Sequence, residues 1–264
     1  MSTNDYGTAL ITGASTGIGA VYADRLARRG HDLILVARDV AKLTAVADHI
    51  RRTTGRNVEL LPADLTARED VLRVEQRLRS DERITLLVNN AGVGATQPLV
   101  DSDVERLDEM IRINVLALTR LTHAVAPGMV RRGGGAIINI ASVVALAPDL
   151  LNGTYGGTKA FVLALTQSLH TELSPHGIQV QAVLPGATST NFWNVSGRPV
   201  EHLPTEIVME AEEMVDASLV GFDRQELVTI PSLPDAADWD RLNNARLALA
   251  PNLSRASAAA RYRA

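Results

Sequence analysis

The chain has 264 residues, enough for one large α/β domain, and its 46% hydrophobic and 21% charged residues are the mix of a soluble globule. A formal net charge of -4 offers no basic field to nucleic acid or an anionic membrane surface, and with no cysteine the chain has no disulfides, thiolate catalysis or cysteine metal sites. No apolar run reaches the length of a membrane span and residues 1–7 lack a signal-peptide profile, so the expected place is cytoplasmic, with no membrane, nucleic-acid or metal partner.

Residues 8–12 (TALIT) form a short apolar β-like run, followed by GASTGIG (13–19) and a helical stretch over 20–29. Strand, glycine-rich turn and helix start are the parts of a dinucleotide site, where backbone N–H groups and the positive helix terminus meet a pyrophosphate. The spacing, Gly13, Gly17 and Gly19, departs from the general G-x-G-x-x-G fingerprint, and a purely structural turn is the alternative. Residues 32–37 (DLILVA) read as a second strand buried on both faces. At its end an acid binds a free ribose 2′-hydroxyl and an arginine accommodates a 2′-phosphate. Ala37 stands where the acid is expected and Arg38 follows, which favours NADP(H) over NAD(H). The competing reading is a solvated Arg38 beside an Asp39 that caps a helix over 40–52.

The alternation continues with a strand over 58–61, a helix near 67–79 and a strand over 84–88, which argues for a parallel sheet wrapped by helices. Asp64 is placed either to accept an adenine amino group or to cap the next helix. Asn89, Asn90, Ala91 and Gly92 follow the fourth strand, fitted either to pack against the first turn or to touch cofactor. A long helix over 103–126 is predicted to open with a Ser102/Glu105 capping box and to end before Pro127 and Gly128. Asn114 interrupts its apolar spacing and is either exposed or functional.

Residues 136–142 read as the fifth strand, ending at Ser142, and a helix over 155–174 leads to the sixth strand over 178–185. Tyr155 and Lys159, four apart at that helix start, share one face. A neighbouring cation favours phenolate, so the pair is expected to lower the tyrosine pKa toward general acid/base range, with Ser142 near enough to hold a substrate oxygen. Lys159 is one of only two lysines, the other being Lys42. Residues 187–204 are the least regular part and carry Phe192 and Trp193, which suggests a partly apolar lid. An acidic helix over 205–221, a seventh strand over 226–230 and a helix over 236–249 complete the chain.

Taken together these motifs resemble the short-chain dehydrogenase/reductase family over about residues 7–230. Thr12, Gly13, Gly17, Ile18 and Gly19 match the family's cofactor turn, Asn89 to Gly92 its central motif, and Asn114, Ser142, Tyr155 and Lys159 its catalytic tetrad. Pro185 and Gly186, with Thr190 beyond, resemble its nicotinamide-side segment. The resemblance implies an α/β, single Rossmann-type doubly wound domain over 1–264 with a seven-stranded, mainly parallel sheet, a substrate lid over about 187–215 and a C-terminal extension over about 235–264. It implies an NADP(H)-dependent carbonyl reductase or alcohol dehydrogenase, as a homodimer or homotetramer, and the lid aromatics suggest a moderately apolar small-molecule substrate. Tyr155 would act as general acid or base, Lys159 would bind the nicotinamide ribose, Ser142 would hold the substrate oxygen and Asn114 would anchor a proton-relaying water. Cofactor contacts would come from Gly13, Ser15, Thr16, Gly17, Ile18, Gly19, Arg38, Asp64, Leu65, Asn90, Ala91, Gly92, Tyr155, Lys159, Pro185, Gly186, Thr188 and Thr190. A 3-oxoacyl-thioester reductase would share these residues, a nucleotide-sugar epimerase or dehydratase would need a larger substrate domain, and a non-catalytic NADP(H) sensor would not need an activated tyrosine. Gly156 and Gly157 depart from the family pattern at the helix start, where each glycine costs about 0.5–1 kcal/mol against alanine unless a neighbouring backbone comes close.

Overall fold

In the computed structural model, which describes residues 6–197 and 199–263, two compact units divide after Pro231. The larger holds a seven-stranded sheet of β1 (Thr8–Thr12), β2 (Asp32–Ala37), β3 (Val58–Pro62), β4 (Ile84–Asn89), β5 (Gly135–Ile140), β6 (Ile178–Val183) and β9 (Val228–Thr229). Their order is β3-β2-β1-β4-β5-β6-β9 and every pair is parallel. The strand order reverses between β1 and β4, so the carboxyl ends of these two strands open the crevice where ligands bind in such sheets.

The side-chain period of two splits the core into two layers. Ala9, Ile11, Leu33, Leu35, Val88 and Ile138 face α1 (Gly17–Arg28), α2 (Val40–Thr54) and α8 (Ala211–Asp223). Leu10, Ile34, Leu87, Ile137 and Val180 face α3 (Arg68–Ser80), α5 (Leu118–Arg132) and α6 (Gly153–Leu173). Strands buried on both faces explain the nearly unbroken apolar runs in the sequence.

Four local expectations are corrected. The helix expected to stop before Pro127 runs on to Arg132 and ends at Gly133, whose φ is +68°. Pro127 and His123, four residues before it, both lie on the exposed side, the face on which a carbonyl left without a donor by the proline costs least. The helix opens with Asp103 as its cap, accepting from the Glu105 N–H at 3.0 Å, while the Ser102 hydroxyl donates to the Pro98 carbonyl. Between α4 (Val104–Ile111) and α5 it widens into a π-helical stretch, Arg112–Ala117, that contains Asn114. The segment expected as a helix from 205 instead begins with a 3₁₀ turn and β8 (Val208–Glu210), which pairs in parallel with β7 (Ala187–Ser189), and α8 starts only at Ala211. A short α7 (Phe192–Val195) follows β7.

The second unit carries α9 (Ala236–Leu247), capped by Asp235 through the Ala237 N–H at 2.9 Å. No helix among the described residues is long and apolar enough to cross a membrane, and none of their His, Asp and Glu side chains group to hold a metal.

Candidate active site

The turn from β1 into α1 is built to receive an anion. Gly13 and Gly17 have φ of +66° and +53°, a region side chains avoid, and a Cβ on Gly19 would overlap the Gly13 carbonyl oxygen. Thr16 precedes α1 without a side-chain cap, and no acidic residue lies in its first turn, so the leading N–H groups of the helix stay available beside Ser15, Thr16 and Ile18. Asn90 holds this turn: its Nδ2 donates to the Thr12 and Gly13 carbonyls at 2.8 and 3.2 Å, while the Asn90 and Ala91 N–H groups both donate to the Thr12 hydroxyl at 3.0 Å. Of its two open readings, the packing one describes the Asn90 side chain. Thr190 closes the far side, its methyl 3.1 Å from where a Cβ of Gly17 would lie.

At the end of β2 the Arg38 side chain is 68% exposed and, among the described residues, reaches only Asp64, at 3.8 Å. Asp39 caps α2 by accepting from the Lys42 N–H at 3.0 Å. Asp64 is engaged locally, its Oδ1 accepting from the Thr66 N–H and hydroxyl, and Leu65 is buried in the core. Arg38 is thus a guanidinium held by one long contact at the strand end, suited to a phosphate.

The tetrad gathers beyond the ends of β4 and β5. Tyr155, Lys159, Asn114 and Ser142 are all buried. Asn152 caps α6 by accepting from the Thr154 and Tyr155 N–H groups at 2.9 and 3.3 Å, which sets Tyr155 on the first turn. The Lys159 Nζ donates to the Ile140 carbonyl at 2.9 Å and lies 5.8 Å from the Tyr155 ring centroid. Gly92 makes room for this group, since a Cβ there would come 3.1 Å from the Asn114 Oδ1 and 3.5 Å from the Lys159 Nζ. Asn114 accepts from the Val93 N–H at 3.0 Å, and its Nδ2 donates to the Val93 carbonyl at 2.9 Å and to the Thr158 hydroxyl at 3.0 Å. The Thr158 hydroxyl in turn donates to the Tyr155 carbonyl at 2.8 Å, so Asn114 and Tyr155 are tied through one hydroxyl. The Ser142 hydroxyl donates to the Pro185 carbonyl at 3.3 Å and accepts from the Val144 N–H at 3.4 Å. The Gly186 carbonyl accepts from Thr188, whose own carbonyl holds the Trp193 Nε1 at 3.0 Å.

Burial controls the titration of the pair. It pushes the Tyr155 phenol up to about 12 against the opposing hydrogen bond from Ser142, and it pulls the Lys159 ammonium down to about 8. The expected lowering of the tyrosine by Lys159 is not met here, because the Nζ is turned to the Ile140 carbonyl and burial outweighs attraction at its distance from the ring.

Residues 7–199 match the short chain dehydrogenase family. The chain belongs to that family. Among solved structures it is 55% identical to a short-chain dehydrogenase from Sphingobium yanoikuyae in complex with NADPH, at a TM-score of 0.95 over 97% of this chain and 100% of that one. It is 48% identical to the bulky-bulky ketone specific alcohol dehydrogenase from Comamonas testosteroni, at 0.90 over 97% and 98%. Among curated proteins it is 37% identical over 202 residues to the very-long-chain 3-oxoacyl-CoA reductase of Anas platyrhynchos, covering 75% of this chain but only 64% of that relative's length. The seven-stranded Rossmann-type sheet expected from the sequence is present, and the two solved structures share this fold.

Three residues at this site escaped the sequence reading. Asn152 carries a legible signal, an N-cap residue just before a helix. Thr158 and Val93 carry none, since their role rests on contacts with Asn114 from a distant part of the chain. The two glycines after Tyr155 separate. A Cβ on Gly156 would come within 3.2 Å of the Pro148 Cα, whereas one on Gly157 meets nothing within 4 Å. Gly157→Ala is therefore expected to stabilise the protein by about 0.5–1 kcal/mol, while Gly156→Ala gains nothing or loses stability, as urea denaturation of the two variants will measure. The Lys159 shift has its own signature. Below about 8 the buried ammonium weakens the fold; between about 8 and the ordinary 10.5 the unfolded chain binds the extra proton, so stability rises with pH. Lys159→Met should lack that rise when denaturation midpoints are compared across this window.

Proposed function

We propose that the protein is an NADP(H)-dependent carbonyl reductase acting on ketones with apolar substituents. The observation that carries this reading is a buried phenol on Tyr155, with the Lys159 Nζ 5.8 Å from its ring and apolar Leu107, Met110 and Val144 around it. A phenol protonated at neutral pH can give the substrate oxygen the proton that reduction requires. The anion-ready turn and exposed Arg38 fit a nucleotide carrying a 2′-phosphate, and the relative from Sphingobium yanoikuyae was solved with NADPH.

The glycine turn and Arg38 would hold NADPH, which when bound would supply a hydride, two electrons and one hydrogen, to a substrate carbonyl carbon. The chain supplies the proton and the positioning. Ser142 Oγ bonds the carbonyl oxygen, and its weak 3.3 Å approach to the Pro185 carbonyl leaves it able to turn there. Tyr155 Oη gives its proton to that oxygen as the carbonyl π bond becomes a C–O–H group. Lys159 Nζ, which faces the Ile140 carbonyl here, would stabilise the phenolate left behind by turning from that carbonyl toward it, and would aid its reprotonation from solvent. Asn114, locked to Val93 and Thr158, holds the π-helical turn against this pair. Exposed Ile111 and Leu116 along the α4 to α5 helix, with Phe161 on α6, support a homodimer or homotetramer, and we assign the protein to the cytosol.

The reading is tested by NADPH oxidation over small and bulky ketones, diketones, aldehydes and 3-oxoacyl thioesters, the last because one curated relative is a 3-oxoacyl-CoA reductase. Turnover of ketones is expected; turnover of thioesters alone would replace the substrate assignment. Tyr155→Phe should keep NADPH binding and lose about 10²–10⁴-fold in turnover, and undiminished turnover would contradict the assignment. Arg38→Ala should weaken NADPH by about tenfold or more, the size of a lost charge-assisted hydrogen bond, and leave NADH unchanged in a competition experiment.

A further inference from the structure

Phe192 is where the segment after β7 reaches the reacting phenol. Its ring centroid lies 5.8 Å from that of Tyr155, tilted by 45°, and 5.8 Å from Trp193, edge-on at 88°. Trp193 is buried and its Nε1 is held by the Thr188 carbonyl, so the aromatic pair is anchored on β7. The opposite anchor is the loop after β4. A Cβ on Gly94 would overlap the Phe192 Cζ and come 2.9 Å from the Ser196 Oγ. Thr96 Oγ1 donates to the Ser196 carbonyl at 2.8 Å, and Ser196 Oγ donates to the Phe192 carbonyl at 2.8 Å. The four-residue α7 is therefore clamped on both sides, with the Phe192 ring laid into a notch that exists because residue 94 has no side chain.

A carbonyl that takes a proton from Tyr155 must bring its oxygen within about 2.6–3.2 Å of the phenol oxygen. With the Phe192 ring packed on Tyr155, one substituent of that carbonyl has to lie against the ring or displace it. The other walls, Val93, Ala95, Val144 and Leu151, are apolar, so the substituent that fits is alkyl or aryl. We propose that Phe192, seated in the Gly94 notch, sets how large a carbonyl substituent the site accepts. This inference rests on the reading of the site as a ketone reductase and names the residue pair that limits its substrate.

The same packing keeps water from the phenol, whose pKa burial has raised to about 12. Removing the ring therefore has a second consequence besides space, a fall in the alkaline limit of the reduction rate.

The test measures kcat and KM for a series of alkyl phenyl ketones from methyl to hexyl, in the wild type, Phe192→Ala, Gly94→Ala and the double variant. Phe192→Ala should raise kcat/KM for the hexyl ketone relative to the methyl ketone by about tenfold or more, the discrimination an apolar pocket typically exerts on one or a few methylenes. Gly94→Ala should change that ratio when Phe192 is present and leave it unchanged when residue 192 is alanine, a coupling expected only of groups in contact. Phe192→Leu, which keeps an apolar filling for α7, serves if the alanine variant does not fold. An unchanged size ratio in a folded, NADPH-binding variant at position 192 overturns the proposal while leaving the reductase assignment intact. Wild-type inactivity on every ketone would overturn the assignment and the proposal with it.

Discussion

The arrangement depends on one costly placement, a phenol and an ammonium taken out of water side by side. Burial raises the tyrosine and lowers the lysine, so each is driven toward its neutral form, and the surrounding structure has to offset the desolvation with specific bonds. The Ile140 carbonyl meets the ammonium, Ser142 meets the phenol, and the Asn152 cap fixes the helix turn from which both project. Two of these partners come from the carboxyl end of β5 and the third from the start of α6, so the site is fixed where that strand and that helix meet.

That meeting point is held by a buried polar chain beneath the site. Asn89 on β4 donates to Asn139 on β5 at 2.9 Å and to Thr122 on α5 at 3.0 Å, and Asn139 donates to Thr166 on α6 at 2.9 Å. Side-chain amides in a dry interior lock register, since a slip would leave several of them without partners. The chain joins the strand leading to the cofactor turn's partner, Asn90, with the strand leading to Ser142 and the helix carrying Tyr155 and Lys159. The π-helical stretch does similar work for Asn114, turning its amide toward Val93 and Thr158 where a regular helix would continue its own spacing.

Much of this was legible in the sequence, and for identifiable reasons. Parallel strands buried on both faces write themselves as apolar runs, so all seven strands of the main sheet stood out, and the glycine turn, Tyr155 and Lys159 are local patterns. β7 and β8, three residues each, are too short to show a period and form only because they meet each other. Pro127 misled because its usual effect on a helix is forgiven on a solvated face. The sign of the tyrosine shift could not be read from a four-residue spacing, since it depends on burial by Phe192 and Val144, which come from elsewhere in the chain. The same limit explains Gly156, whose reason is the nearby backbone of Pro148.

The central claim, that Tyr155 is a proton donor kept neutral by burial, is most directly tested by titrating phenolate absorbance. The chain has four tyrosines, and subtracting the Tyr155→Phe titration from that of the wild type isolates this one. The account predicts that Tyr155 stays a phenol until pH approaches about 12; a phenolate signal emerging below the ordinary 10.0 would contradict it.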